Sequence, residues 1–239
     1  MHEKNNMKKI IHRADSRINN DFGWLRISAS FRDDAEPQRK NFHTLLILDD
    51  ALMIPSGRGF KLHPHDNMEI ISWILSGVDE HNDSRNGVTL LGRDEVQLMS
   101  AGTGIEHAEN NHSETEAVHM FQIWIAPKMK DIEPRYQVKS LHDVNRVDQL
   151  VTFISPDGRD NSLTINQDAF LSVITLSESS SFTYEMKKSG NALYIFLLYG
   201  DIDVEDISLK HRDAIGLEDM DSVKVQARHK SDILFIEVP

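Results

Sequence analysis

Residues 57–77, GRGFKLHPHDNMEIISWILSG, combine two histidines one residue apart with a short apolar run that ends at a glycine. Apolar runs rich in Ile, Val, Leu and Phe and bounded by Gly, Asp, Asn or Pro are typical of β-strands. Comparable runs occur elsewhere in the 239-residue chain, at residues 45–48, 118–125, 169–176, 193–199 and 233–238. No segment carries a helical stripe longer than about two turns. Asn86-Gly87 predicts a hairpin turn, because Asn and Gly both tolerate positive φ. The sequence therefore predicts an all-β protein with frequent turns, as sandwiches and barrels have.

An internal repeat indicates two similar units. The segment WILSG at residues 73–77 is matched by FLLYG at residues 196–200, and an Arg-Asp pair with alternating apolar residues follows each segment. Compact domains usually hold about 100–150 residues, so the chain is long enough for two. The polar stretch 127–149 contains a proline and several charges, and it is the predicted linker. We expect an N-terminal domain over residues 1–138 and a C-terminal domain over residues 139–239.

The composition excludes several classes of function. The formal net charge of -12 disfavours nucleic acids and anionic membrane surfaces as partners, because both require clustered Lys and Arg. The chain has no cysteine, which excludes disulfides, thiolate metal sites and cysteine nucleophiles. The start of the chain is polar, and no stretch approaches the roughly 18 apolar residues of a membrane helix. We therefore expect a cytoplasmic protein that binds a small ligand.

Two pairs of polar residues suggest a metal site. His63 and His65 form the first pair, and His107 and Glu109 form the second. Side chains alternate across a strand, so each pair projects to one face. Two such strands facing each other would gather three imidazoles and one carboxylate, a donor set that suits Fe(II), Mn, Ni, Cu or Zn and leaves positions for water or substrate. Glu69 also lies at an even spacing from His65 and is an alternative carboxylate ligand; a polar surface face is the competing interpretation of the histidines.

Other residues near these pairs are expected to be structural. The acidic stretches at residues 79–83 and 201–206 are expected to be solvated loops or edges. Three further histidines are expected to be exposed or hydrogen-bonded rather than ligands: His81, His112 and His119. Large aromatic residues in strand runs are expected in the core: Trp73, Phe121 and Trp124. Glycines bracket both polar pairs and permit tight turns there: Gly57, Gly59, Gly77, Gly102 and Gly104.

These residues match known sequence motifs. The first cupin motif is met, with one extra residue before its last glycine, by Gly57, His63, His65, Glu69 and Gly77. The end of the second motif, whose proline is replaced by glycine here, is met by Gly104, His107 and Asn111. More closely still, the chain resembles the pirin family, and particularly its bacterial members with quercetin 2,3-dioxygenase activity. The likeness covers most of the chain and rests on the segments HPHDNMEI, MSAGTGIEHAE, FQIWIAP and ISPDGRDNSLTINQD.

The resemblance implies a bicupin, in which two cupin barrels of the jelly-roll (double-stranded β-helix) type pack side by side. It implies one divalent metal ion in the N-terminal barrel, usually iron(II), with Mn, Ni, Cu, Co and Zn as alternatives. The implied metal ligands, which leave Glu69 as a non-ligand, are His63, His65, His107 and Glu109. Aligning the repeat places different residues at the equivalent positions of the C-terminal barrel, which is therefore expected to bind no metal: Met186, Lys188, Gln226 and Arg228.

The resemblance further implies a dioxygenase that cleaves a flavonol such as quercetin with dioxygen and releases carbon monoxide. Glu109 is then the catalytic residue, because it accepts the proton of the substrate hydroxyl beside a Lewis-acidic metal. Eukaryotic pirins resemble a different description, a metal-loaded regulatory module that senses redox state and contacts a protein partner. The fold and ligands would be the same, so the sequence leaves both functions open. An isomerase, or a dioxygenase for another enediol-like substrate, is a third option.

Overall fold

The computed structural model describes residues 7–31, 39–55 and 58–239. Residues 1–6 of the predicted N-terminal domain and Gly57 of the first motif lie outside these ranges. Contact clustering divides the chain into two compact units. Of the described residues, those within 18–143 and 165–167 form the N-terminal unit, and those up to Arg17 and within 144–164 and 168–239 form the C-terminal unit. The expected boundary between residues 138 and 139 stays a prediction.

The N-terminal unit consists of two antiparallel sheets. Its strands are β2 (Ile18–Asp21), β3 (Leu25–Ala29), β4 (Leu45–Met53), β5 (Gly59–His65), β6 (Glu69–Ser76), β7 (Asp79–Asp83), β8 (Gly87–Leu91), β9 (Glu95–Ser100), β10 (Ile105–Asn111), β11 (Val118–Ile125) and β12 (Arg135–Ser140). A seven-stranded sheet has the order β12-β9-β6-β11-β4-β3-β2, and a four-stranded sheet has the order β5-β10-β7-β8. β6, an interior strand of the larger sheet, is buried on both faces over Glu69–Ile74.

The C-terminal unit has the same plan. Its strands are β1 (Lys8–His12), β13 (Val151–Ser155), β14 (Leu163–Thr164), β15 (Phe170–Leu176), β16 (Ser181–Glu185), β17 (Ala192–Tyr199), β18 (Asp201–Val204), β19 (Ile207–Lys210), β20 (Ala214–Glu218), β21 (Ser222–Ala227) and β22 (Ser231–Val238). The sheet orders are β1-β20-β17-β22-β15-β13-β14 and β16-β21-β18-β19. β17 and β6 therefore hold the same place in their sheets, in agreement with the repeat of WILSG and FLLYG. The predicted all-β bicupin architecture, with two jelly-roll units, is confirmed.

Apolar side chains fill the interior of the C-terminal unit. A single cluster joins residues of both sheets, including Ile195, Val225 and Phe235, each fully buried. The repeat alignment placed Met186 and Lys188 where a histidine pair would stand, but β16 ends at Glu185 and its Ser181 pairs with Gln226. That part of the alignment was wrong, because the repeat has few anchoring residues and loops of unequal length.

Two local predictions have opposite outcomes. The hairpin predicted at Asn86-Gly87 is confirmed between β7 and β8, where the Asp83 side chain accepts the backbone N–H groups of Arg85 and Asn86 at 2.7 Å and Gly87 takes a φ of +74°. The predicted linker over residues 127–149 is wrong in part, because β12 lies inside it and pairs with β9 along six residues. Among the described residues, no helix is both long and apolar enough to cross a bilayer.

Candidate metal centre

Two neighbouring strands carry the three histidines that the sequence singles out. β5 and β10 pair antiparallel, with His63 opposite His107 and His65 opposite Ile105. Because alternate residues of a strand point to one face, the three imidazoles meet on the inner side of the four-stranded sheet. Their ring centroids are 4.5, 4.8 and 4.9 Å apart. The structure thus brings together the histidines that lie 42 residues apart in the sequence.

The ring nitrogens of this cluster are arranged to receive a cation. Nδ1 of His63 lies 2.7 Å from the backbone carbonyl oxygen of Lys61, so the neutral ring donates there and presents the lone pair of Nε2. Nε2 of His65 and Nε2 of His107 are buried and have no hydrogen-bond partner among the described residues. One nitrogen of each ring lies within 4.8 Å of the others. Buried polar atoms rarely lack a partner, so these three nitrogens fit a bound metal ion.

Burial keeps two of these imidazoles uncharged. It lowers the pKa of His65 to about 4, and the neighbouring His63 contributes in the same direction. Burial lowers the pKa of His107 to about 3, with further contributions from the nearby rings of His81, His63 and His65. Metal ions bind the neutral form of imidazole. Both rings are therefore ready to bind a cation at neutral pH without first losing a proton.

Glu109 supplies a buried carboxylate beside the imidazoles. The register of β10 against β5 shifts between His107 and Glu109, so a bulge separates the two residues. Oε1 of Glu109 accepts hydrogen bonds from Ser72 Oγ at 3.2 Å, Gln97 Nε2 at 3.3 Å and Gln122 Nε2 at 3.4 Å, while Oε2 accepts from Gln122 Nε2 at 3.1 Å. Burial raises the pKa of Glu109 although these hydrogen bonds oppose it. Oε2, with fewer donors, retains more capacity for a cation or a proton.

Glu69, the alternative carboxylate, lies away from the cluster. It is three residues from Ser72 on β6, so the two side chains point to opposite faces of the strand, and Ser72 is the one that reaches Glu109. Oε2 of Glu69 accepts hydrogen bonds from Ser100 Oγ at 2.7 Å and from the backbone N–H of Asn166 at 3.3 Å. Glu69 belongs to neither cluster of potential ligands among the described residues.

β7 contributes side chains that the sequence interpretation assigned to the surface. His81 and Asp79 are fully buried and Asp83 is 5% exposed, so the predicted solvated loop at residues 79–83 is wrong. The strand places polar residues at its inward positions because it lines a site rather than an apolar core. His81 forms a second cluster with His107 and Glu109, in which one potential ligand atom from each residue lies within 4.8 Å of the others. His81 is hydrogen-bonded, as expected, but it is part of the site.

Tyr136 is a further site residue that the sequence interpretation missed. Its ring stacks on His81 with centroids 4.9 Å apart and an angle of 22° between the planes. Its hydroxyl donates a hydrogen bond to Oε1 of Gln97 at 2.8 Å. Burial raises the pKa of this phenol, which therefore keeps its proton at neutral pH. Tyr136 was missed because it lies on β12, inside the predicted linker, although Tyr136 and Val138 alternate with polar residues in the manner of a strand.

The two remaining histidines near the motifs lie outside the cluster. Nδ1 of His112 pairs with Glu80 at 2.8 Å, and Nε2 of His119 pairs with Asp50 at 2.5 Å. Both side chains are partly exposed, at 49% and 29%. The expectation that these histidines are surface or hydrogen-bonded residues is confirmed.

A largely apolar cavity of about 220 Å³ opens beside the cluster. Its lining residues are Ile27, Asp49, Ala51, Phe60, His63, His65, Glu109, Met120, Gln122 and Trp124. The ring of Trp124 lies 4.9 Å from that of His65, and Trp124 Nε1 donates a hydrogen bond to Gln122 Oε1 at 2.8 Å. Trp73 and Phe121 are buried, as expected, whereas Trp124 is partly buried, packs against a core cluster and also lines the cavity.

Both units match family models in sequence. A model described as pirin matches residues 12–125, and one described as the quercetinase C-terminal cupin domain matches residues 152–238. The chain is 32% identical to the quercetin 2,3-dioxygenase of Escherichia coli K12, over 96% of this chain and 98% of that protein. This chain belongs to the pirin family. The cluster of His63, His65 and His107 lies within the residues that match the pirin model.

Two solved structures have the same fold as this chain. The nickel(II) complex of the bacterial pirin YhhW from Escherichia coli superposes with a TM-score of 0.90 at 30% identity, over 97% of this chain and 99% of that chain. A quercetin 2,3-dioxygenase from Acinetobacter baumannii superposes with a TM-score of 0.76 at 19% identity, over 97% of this chain and 78% of that chain. The second likeness concerns the fold alone.

Proposed function

We propose that this chain is a metal-dependent dioxygenase that cleaves a flavonol such as quercetin with dioxygen and releases carbon monoxide. The observation that carries the proposal is the cluster of His63, His65 and His107 at the wall of an apolar cavity that Glu109 also lines. Two buried Nε2 atoms of this cluster have no hydrogen-bond partner among the described residues. The names of the bacterial relatives support the same activity.

One divalent transition metal ion would be held by Nε2 of each of the three histidines and by Glu109. Iron(II) is the proposed native metal, and the nickel complex of the bacterial relative makes nickel(II) the first alternative. When bound, the ion would act as a Lewis acid that stabilises the enolate form of the flavonol for its reaction with dioxygen. The proposed ligands are His63, His65, His107 and Glu109.

Glu109 is the proposed acceptor of the substrate's hydroxyl proton. Glu109 lines the cavity, and its Oε2 accepts one hydrogen bond, from Gln122, whereas Oε1 accepts from Ser72, Gln97 and Gln122. Burial raises the pKa of Glu109, which makes its carboxylate a stronger base than an exposed one. The donors around Oε1 fix the group in place, so the proton would be taken at Oε2.

The cavity walls suit a flat aromatic ligand. Phe60, Met120 and Trp124 provide apolar surface for aromatic rings and exclude water from the neighbourhood of Glu109, while Gln122 and Asp49 provide polar contacts. Ligand sites that enclose a drug-sized molecule usually measure about 300–1,000 Å³. At about 220 Å³, the cavity would enclose the reacting ring of a flavonol and leave the remainder at its mouth.

The test is turnover with a matched pair of variants. Protein loaded with iron(II) or nickel(II) should bleach the flavonol absorbance and consume dioxygen, and Glu109→Gln should abolish both. Glu69→Gln is the control, because it neutralises another buried carboxylate that faces away from the cluster, and it should retain turnover. Loaded wild-type protein that binds quercetin without consuming it would refute the dioxygenase proposal and favour the regulatory module instead.

A further inference from the structure

A histidine and a carboxylate of β7 lie directly behind His107. The backbone of β7 pairs with β10, placing Asp83 opposite His107. Nδ1 of His81 is 3.5 Å from Nδ1 of His107, and Nε2 of His81 is 3.3 Å from Oδ2 of Asp83. His81, His107 and Asp83 are all buried, at 0%, 1% and 5% exposure. Asp83, His81 and His107 thus contact one another in series, and Nε2 of His107 is the proposed metal-binding atom at the end of the series.

The donors around Asp83 determine which ring nitrogen of His81 carries its proton. Oδ1 of Asp83 accepts the backbone N–H groups of Arg85 and Asn86, and the side-chain amide of Asn86 donates to Oδ2 at 3.1 Å. A carboxylate that already accepts several hydrogen bonds is an acceptor toward His81 too. His81 therefore carries its proton on Nε2, and its Nδ1 is a lone pair directed at His107.

The same reasoning assigns the proton of His107. Its Nδ1 faces the lone pair of His81, so the neutral ring carries its proton on Nδ1. Nε2 then holds the lone pair, and it is this buried atom that has no hydrogen-bond partner among the described residues. Tyr136 stacks on His81 and keeps the ring from rotating out of line. Each proton in the series is thereby assigned to one atom.

We propose that His81 and Asp83 are positioning residues that hold His107 in the Nδ1-protonated tautomer and present its Nε2 to the metal ion. This inference rests on the metal centre of the proposed function. A carboxylate that acts through a second imidazole would also increase the basicity of His107 as a ligand. The separation of 3.5 Å is long for a hydrogen bond. A metal ion held at Nε2 would make Nδ1–H a stronger donor, and we expect the contact to shorten in the loaded protein.

The first test reads the tautomers in the metal-free protein. Long-range ¹H–¹⁵N correlation spectra distinguish the two neutral forms of each imidazole, and His81→Asn and His107→Gln variants assign the signals. We expect His107 with its proton on Nδ1 and His81 with its proton on Nε2. Asp83→Asn should remove this preference at His81, because an amide can donate as well as accept. Finding the proton of His107 on Nε2 in the wild-type protein would overturn the proposal.

The second test measures affinity for nickel(II) alone, by calorimetric titration of each protein. His81→Phe keeps a ring for Tyr136 to stack on but removes the acceptor, and it should weaken binding about 10- to 100-fold, as loss of comparable partners does elsewhere. His81→Asn places a carbonyl oxygen near the position of the former Nδ1 and should retain more affinity than His81→Phe. His119→Gln is the matched control, since His119 also pairs with a carboxylate, Asp50, and lies outside the cluster. It should bind nickel(II) like the wild type.

The outcomes separate this proposal from the dioxygenase proposal. Neither measurement uses quercetin, so a chain that binds nickel(II) without turning over the flavonol still tests the role of His81. Equal affinity in wild type, His81→Phe and Asp83→Asn would overturn the positioning role. Two nickel ions per chain, one of which is lost in His81→Phe, would also overturn it, because His81 would then be a ligand of a second site with His107 and Glu109.

Discussion

Acid should destabilise the metal-free protein through His107. Burial lowers the pKa of this imidazole from 6.5 to about 3 in the folded chain. In the unfolded chain the ring is solvated and takes up its proton near its ordinary pKa of about 6.5. As the pH falls, the unfolded state binds the proton first. The contribution of neutral His107 to stability is therefore complete above about pH 6.5 and is lost progressively as the pH falls toward about 3.

The size of the effect follows from the window between the two pKa values. Each pH unit within this window lowers the free energy of unfolding by about 1.4 kcal/mol for one proton. The loss of stability is therefore about 2 kcal/mol at pH 5 and about 3 kcal/mol at pH 4. His65 acts in the same direction, because burial lowers its pKa to about 4. Its ring is only partly buried, so solvent screens the charge and its contribution is smaller.

Urea unfolding of the metal-free protein, monitored by circular dichroism, measures this loss. Wild type and His107→Gln are compared at pH 7 and pH 5, because glutamine does not titrate. The carboxylates titrate in both proteins, so their contribution cancels when the stability losses of the two proteins are subtracted. Wild type should lose about 2 kcal/mol more than the variant over this range. Parallel losses in the two proteins would refute the argument that burial keeps His107 neutral.

Three further predictions concern individual residues. His63→Ala and His107→Ala should each lose stoichiometric metal, measured by elemental analysis, while circular dichroism shows a folded chain, since apolar cores hold the units together. Glu69→Gln should bind metal like the wild type, and metal loss in this variant would return Glu69 to the set of ligands. Tyr136→Phe keeps the stacking on His81 but removes the hydrogen bond to Gln97, so urea unfolding should show a loss of about 1 kcal/mol; an unchanged stability would count against that hydrogen bond.

The proposed ligands could be chosen from the sequence because a β-strand has a period of two. One residue separates His63 from His65, and one separates His107 from Glu109. The structure places the first pair on β5 and the second pair on β10. The antiparallel pairing that brings His107 opposite His63 needs information from the whole fold, which the family resemblance supplied. The bulge after His107 had no signal in the sequence.

The choice between Glu109 and Glu69 shows the limit of spacing arguments. Both carboxylates lie at an even distance from a histidine in sequence, but Glu69 belongs to a different strand from His65, and the alternation restarts at the intervening loop. On β6 the relevant reference is Ser72, whose odd separation from Glu69 puts the two on opposite faces. The sequence shows which residues of one strand share a face, but it does not show which face of one strand points to the same side as a given face of the next strand.

β7 was misjudged for a related physical reason. Its residues DEHND contain no apolar side chain, and strand prediction depends on apolar residues that alternate with polar ones. Asp79, His81 and Asp83 occupy the inward positions. His81 and Asp83 are hydrogen-bonded there, whereas burial and the neighbouring Glu109 raise the pKa of Asp79. Local sequence rules are expected to fail where a strand lines a functional site. The one local indication was the turn at Asn86-Gly87, which requires a strand before it.

Tyr136 connects an imidazole and the carboxylate of the proposed metal centre. Its ring stacks on His81, which contacts His107, and its hydroxyl binds Gln97, which donates to Glu109. A single side chain from an edge strand therefore supports both an imidazole and the carboxylate. The strand that carries it pairs with β9 alone in its sheet. The geometry of the proposed metal centre consequently depends on a segment that composition alone would assign to a linker. The segment is polar on its outer face because it forms the edge of the sheet.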